Sequence, residues 1–177
     1  MRVKLKLFTH LPIFGFMQTA TITEIKKALN QSTQSELVNM CIHLSKFKKE
    51  TKELITYLLF EASDEHSYIR GVKKEIDELF EDLNTSNFYY IKKGVRKTLR
   101  RTKIYIRYSK KRETELELIL HFCLKLAQLK PSIERNNILF NIFDRELIRM
   151  EKLVLKLHED LQYDYRNEIK HLRSLII

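Results

Sequence analysis

The residues of this chain best suited to chemistry are cations. Phe88 to Arg112, FYYIKKGVRKTLRRTKIYIRYSKKR, holds eleven Lys or Arg residues and no Asp or Glu. Residues 1–87 balance 12 cations against 12 anions, and residues 113–177 carry 10 against 11, so the formal net charge of +10 sits on this stretch. Cations at that density neutralise the phosphates of a polyanion, and tyrosines among them can stack or hydrogen-bond. The candidate polyanion ligands are Lys92, Lys93, Arg96, Lys97, Arg100, Arg101, Lys103, Arg107, Lys110 and Lys111, with Tyr89 and Tyr108 as stacking residues. Such contacts hold a backbone without reading sequence. The opposing possibility is a solvated face satisfied by nearby acids. Five carboxylates lie within Glu75–Asp82, and Glu113, Glu115 and Glu117 follow the stretch, so Glu78 or Asp82 could pair with Lys92 or Arg96.

Other chemistries find little support. Glu168 and His171 form a Glu-x-x-His step, but a di-iron bundle needs two such steps and two further carboxylates, and no second copy exists. Asp64-Glu65-His66 and His158-Glu159-Asp160 are consecutive, so their side chains diverge on a helix. His43 and His121 lie beside apolar stripes and read as satisfied or half-exposed helical residues. Three isolated glycines, Gly15, Gly71 and Gly94, exclude phosphate-cradling loops. No catalytic residues, metal site, cofactor or small-molecule substrate is implied, and the chain reads as a non-enzyme.

The elements that position the cations read as helices. With three Gly and two Pro in 177 residues the chain lacks the punctuation of β architectures, and its Leu, Ile, Lys and Glu fall at helical spacing. The spacing predicts helices near 21–30, capped by Thr21 or Thr23, then 33–47 and 50–62, with Leu54, Ile55, Leu58 and Leu59 facing the core. A two-sided helix follows near 67–83, with Ser63 or Asp64 capping it. The basic helix spans roughly 87–109, its cap supplied by the loop Asn84–Asn87, and it buries Phe88, Ile91, Val95, Thr98, Leu99, Thr102, Tyr105 and Ile106. Gly94 is its weak spot. The most apolar helix, 112–129, belongs at the centre of the core and stops at Pro131. One long stripe then runs from about Glu134 to Leu161 and continues, or yields to a final helix, over 162–177.

The expected architecture is all-α, about seven antiparallel amphipathic helices forming a bundle or a short HEAT-like superhelix. An offset of 82 that sets Cys41 against Cys123 would make two helical hairpins copies of one another. Both cysteines lie on apolar stripes and read as buried, reduced thiols of a cytoplasmic protein. No run reaches the ~20 apolar residues of a membrane span. Residues 1–20 read as a poorly structured leader, with Met17 as an alternative start, and residues 21–177 as a single domain.

The segments TEIKKALNQSTQSELVNMCIHLSKFKKETKELITYLLFE and IKKGVRKTLRRTKIYIRYSKKRETELELILHFCLKL resemble a family of small bacterial all-helical proteins without an assigned activity. The similarity covers about Thr21 to Leu129 and implies a bacterial, cytosolic, helical protein. The functional expectation is a non-catalytic module whose basic helix binds nucleic-acid backbone without sequence specificity. The alternative is a protein-interaction or scaffold module, with the basic helix solvated or facing an acidic protein partner.

Overall fold

The computed structural model describes residues 18–176, so the expectations placed on the leader's first 17 residues lie outside the described residues. Among the described residues there are eight α-helices, a π-helical segment and a 3-10 turn, with no strand. The chain divides into two compact units. One unit ends at His43 and the other runs from Leu44 to Ile177. The first holds α1 (Ile22–Asn30), and the boundary falls within α2 (Gln34–Phe47).

Two capping boxes start these helices. Thr21 N–H donates to Glu24 Oε2 at 2.8 Å while Thr21 Oγ1 accepts from Glu24 N–H at 3.3 Å, and Thr33 with Glu36 repeats the arrangement at the same distances. Neither helix buries a residue. Cys41 is therefore exposed, against expectation, because a stripe becomes core only where a facing element covers it. Cys123 is fully buried, and burial pushes its thiol up.

The second unit is organised around α6 (Arg112–Ala127). Leu116, Leu118, Ile119, Phe122, Cys123 and Leu126 are essentially inaccessible, because this helix is apolar around most of its circumference. It packs against α4 (Glu65–Glu81), α5 (Phe88–Ser109), α7 (Asn137–Val154) and α8 (Glu159–Ser174). One helix in contact with four others is the centre of a helical bundle. Phe80 of α4 and Phe122 of α6 meet ring to ring at 5.5 Å, and Leu139, Phe143 and Met150 of α7 close the other side.

The basic stretch is helical because both ends are fixed and one face is core. Asn87 Oδ1 accepts from the N–H groups of Tyr89 and Tyr90 at 2.9 and 3.2 Å, and Lys110 ends the helix in the left-handed region with φ 59°. Gly94 has a packing reason. A Cβ there would lie 2.0 Å from Leu83 Cδ2, so glycine lets the chain entering α5 pack directly on it.

Two boundaries differ from the pattern. The third predicted helix is α3 (Lys49–Thr56) followed by a π-helical segment, Tyr57–Glu61. Its wider turn rotates every later side chain, so Tyr57 is buried while Leu58 and Leu59 are exposed rather than core. The long stripe predicted from Glu134 is α7 and α8 with a break between them, which raises the helix count to eight. Lys156 and Leu157 N–H groups bond back three residues, and His158 caps the new helix with Glu159 and Asp160 at its positive end.

Candidate nucleic-acid interface

At 100° per residue α5 has three faces. Ile91, Val95, Thr98, Thr102 and Ile106 form the core face and are all buried. Arg96, Arg100, Lys103 and Arg107 project in an arc about 100° to 160° from that face's centre, and Tyr89 lies in the same arc. Arg101 and Tyr108 make a third face, adjoining Tyr105.

The third face is an internal salt bridge. Arg101 Nη1 and Nη2 donate to the two oxygens of Glu53 at 2.7 and 2.6 Å, and its Nε donates to Glu75 Oε1 at 3.0 Å. The guanidinium carbon stands 4.3 Å from the Tyr105 ring centroid. Tyr108 is 7% exposed, and its hydroxyl donates to Glu53 at 3.0 Å. The hydrogen bonds from Arg101 hold the Glu53 carboxyl low against the desolvation that opposes them, and Glu53 in turn holds the guanidinium protonated. Arg101 and Tyr108 therefore leave the candidate set, since their polar atoms are engaged inside the protein. Lys103 Nζ donates to buried Glu146 at 2.6 Å and Lys111 pairs with Glu65 at 3.0 Å, so both are partly committed as well.

Glu65 shows why the C-terminal end of α5 is fixed. Its carboxylate accepts from Tyr57 Oη at 2.8 Å, Thr114 Oγ1 at 2.6 Å, Lys111 Nζ and Ser109 Oγ. Burial alone would raise this group; the four donors outweigh burial and pull it down to about 2. One carboxylate thus joins the π segment, α4, α5 and α6.

The remaining cations are unpaired. Among the described residues Lys92, Lys93, Arg96, Lys97, Arg100, Arg107 and Lys110 make no ion pair, and all but partly buried Lys92 are exposed. Glu78 pairs instead with Lys74 on its own helix, at 4.0 Å, and the acids that do reach α5 come from α3, α4 and α7. Tyr89 is 65% exposed, its ring 5.3 Å from that of Tyr90.

Part of this face is a groove of 530 Å³ between α5 and α7. Arg96, Arg100, Lys103 and Arg107 line it with Leu99 and Ile104, and α7 contributes Ile142 and Arg145. No carboxylate lines it. Arg145 was missed from sequence because it lies 38 residues beyond Arg107 in a segment of balanced charge. A roomier cleft, 920 Å³, opens on the Arg101 side and is lined by Tyr57, Tyr68, Tyr105 and Tyr108 with Glu53 and Glu75, whose hydrogen bonds are already made within the protein.

Among the described residues no group of three His, Cys, Asp or Glu side chains is placed to hold a metal ion, and no helix is long and apolar enough to cross a membrane. Comparison of the chain with protein-family models, with curated proteins and with solved structures finds no match. The functional reading rests on the geometry.

Proposed function

We propose that this protein is a non-catalytic helical module whose α5 binds a polyanion, nucleic-acid backbone without sequence specificity. The observation that carries this reading is the set of unpaired cations, Lys92, Lys93, Arg96, Lys97, Arg100, Arg107 and Lys110, on a helix whose caps and core face fix it in place. A rigid cationic face meets a phosphate backbone without an ordering cost for the helix. Lys and Arg contacts of this kind supply affinity and no base discrimination.

The test is fluorescence anisotropy with labelled oligonucleotides over a salt series. The affinity should fall steeply with salt, and Arg96→Glu with Arg100→Glu and Arg107→Glu should flatten the log–log slope by about 3, at roughly 0.9 per phosphate contact. Absence of binding at low salt, or an unchanged slope in the triple variant, refutes the reading.

A protein-interaction reading draws on a separate observation. Leu58, Leu59 and Phe60 are 59%, 68% and 74% exposed in one turn of the π segment, a small apolar surface that the bundle does not use. Recovery of one stoichiometric protein after nuclease treatment, lost with Leu59→Gln, would favour it.

A further inference from the structure

Arg145, which faces the α5 cations across the groove, also begins a stripe of its own. Arg145, Arg149, Lys152 and Lys156 follow at steps of four, three and four, and so share one side of α7 and the turn after it. They line a second recess of 350 Å³ with a single carboxylate, Glu115, which accepts from Arg149 Nε at 2.8 Å. Arg145, Lys152 and Lys156 make no ion pair among the described residues. Arg145 lines both recesses, so the stripe on α7 begins in the first and runs along the second, which lies between α6 and α7.

Glu146 ties the two walls together. Its side chain is 7% exposed, accepts from Lys103 of α5 at 2.6 Å and lies 3.7 Å from Arg149 Nη1. Its Oε2 has no hydrogen-bond partner. This buried acid holds Lys103 of α5 and lies beside Arg149 of its own helix, and it leaves the outer cations unpaired.

No aromatic side chain lines either recess. Tyr105 and Tyr108 are turned to the other faces of α5 and buried, and Tyr89 lies seven residues before Arg96, about 10 Å along the helix axis. Proteins that hold single strands pair a cationic groove with rings on which bases stack, whereas a duplex presents only phosphate and sugar to a groove of this kind. Arg96 to Arg107 and Arg145 to Lys156 each span 11 residues, about 16 Å, a length equal to roughly five base-pair rises of 3.4 Å measured along the axis of a duplex.

We infer that α5 and α7 form one groove that takes the phosphodiester backbone of a double-stranded nucleic acid, with Arg145, Lys152 and Lys156 as the second row of phosphate ligands. This rests on the reading of α5 as a polyanion site, and it adds the α7 wall and the duplex preference.

The experiment compares a labelled duplex of two helical turns with its separate strands, by anisotropy at about 50 to 300 mM salt. Three proteins are measured: wild type, Arg96→Glu with Arg100→Glu, and Arg145→Glu with Lys152→Glu. The full chain is used, and circular dichroism melts establish that each variant is folded. The wild type should bind the duplex about tenfold or more tighter than either strand, and the α7 variant should lose about tenfold or more in duplex affinity with a slope flatter by about 2. If the charge reversal on α7 prevents folding, Arg145→Gln with Lys152→Gln is judged by the same slope. An α7 variant that binds as wild type while the α5 variant has lost binding overturns the second wall and leaves the α5 reading standing. Equal binding of strand and duplex by the wild type overturns the duplex preference. Failure of the wild type to bind either at low salt removes the α5 reading itself.

Discussion

Arg100 and Arg101 follow one another in the chain, and 100° of helix separates an exposed guanidinium with no carboxylate partner from one held by Glu53 and Glu75. Truncating the second leaves two part-buried carboxylates and two tyrosine hydroxyls without their common centre. Arg101→Ala should therefore destabilise the protein by about 2 to 3 kcal/mol, measured by urea denaturation, with polyanion affinity per folded molecule nearly unchanged. Arg100→Ala should do the reverse, leaving stability within about 0.5 kcal/mol and weakening binding. A common loss of both properties in both variants would dissolve the distinction between the two faces. At this scale the sequence named the right residue types and could not sort them. Glu53 lies 48 residues from Arg101 and Glu146 lies 43 from Lys103, and no local pattern announces such pairs.

Helices were the most legible level. A cap for α5 within the loop Asn84–Asn87, a cap for α4 at Ser63 or Asp64 and the central place of α6 were all readable, because caps and apolar width are local properties; Asn87 and Asp64 are the residues that cap. The π segment was not readable, since it keeps the composition of a helix and changes only the phase. Leu58 and Leu59 continue the apolar pattern of α3, yet it is Tyr57 that is buried in the core, 3% exposed and against the Tyr68 ring at 4.6 Å. Tyr57→Ala should cost about 3 kcal/mol or more, whereas Leu58→Gln or Leu59→Gln should stay within about 0.5 kcal/mol. Thermal melts of the three variants decide it, and a large loss at Leu58 or Leu59 would mean that the α-helical phase continues in solution. The break between α7 and α8 was hidden for a related reason: it uses neither Gly nor Pro, only two back-bonded turns and His158 as the cap.

Over the second unit as a whole, acids and cations carry separate tasks, and pH can tell them apart. Glu53 joins α3 to α5, Asp77 joins α4 to His121 and Lys125 of α6, Glu117 joins α6 to Lys73 and Tyr165, and Glu65 gathers four partners. All four carboxyls are held below their ordinary range; Glu53 by Arg101 first, the others by donors that outweigh their burial. A carboxyl whose folded value is depressed binds fewer protons than in the unfolded chain. Its contribution is therefore complete above the unfolded value near 4.3 and is lost as pH falls through the folded one. For Glu65 that window runs from about 4.5 down to about 2. Glu65→Gln should cost about 1.5 to 3 kcal/mol near pH 7, and the gap to wild type should close as the pH is taken towards 2. The groove holds none of these four carboxyls. Lys and Arg line it, no histidine does, and a phosphodiester stays ionised, so duplex affinity at fixed salt should be level from about pH 6 to 8. Measuring both profiles on the same preparations separates the tasks. A step in affinity near pH 6.5 would place a histidine in the binding site, and an undiminished gap between Glu65→Gln and wild type at low pH would remove Glu65 as the acid-sensitive tie between the π segment, α4, α5 and α6.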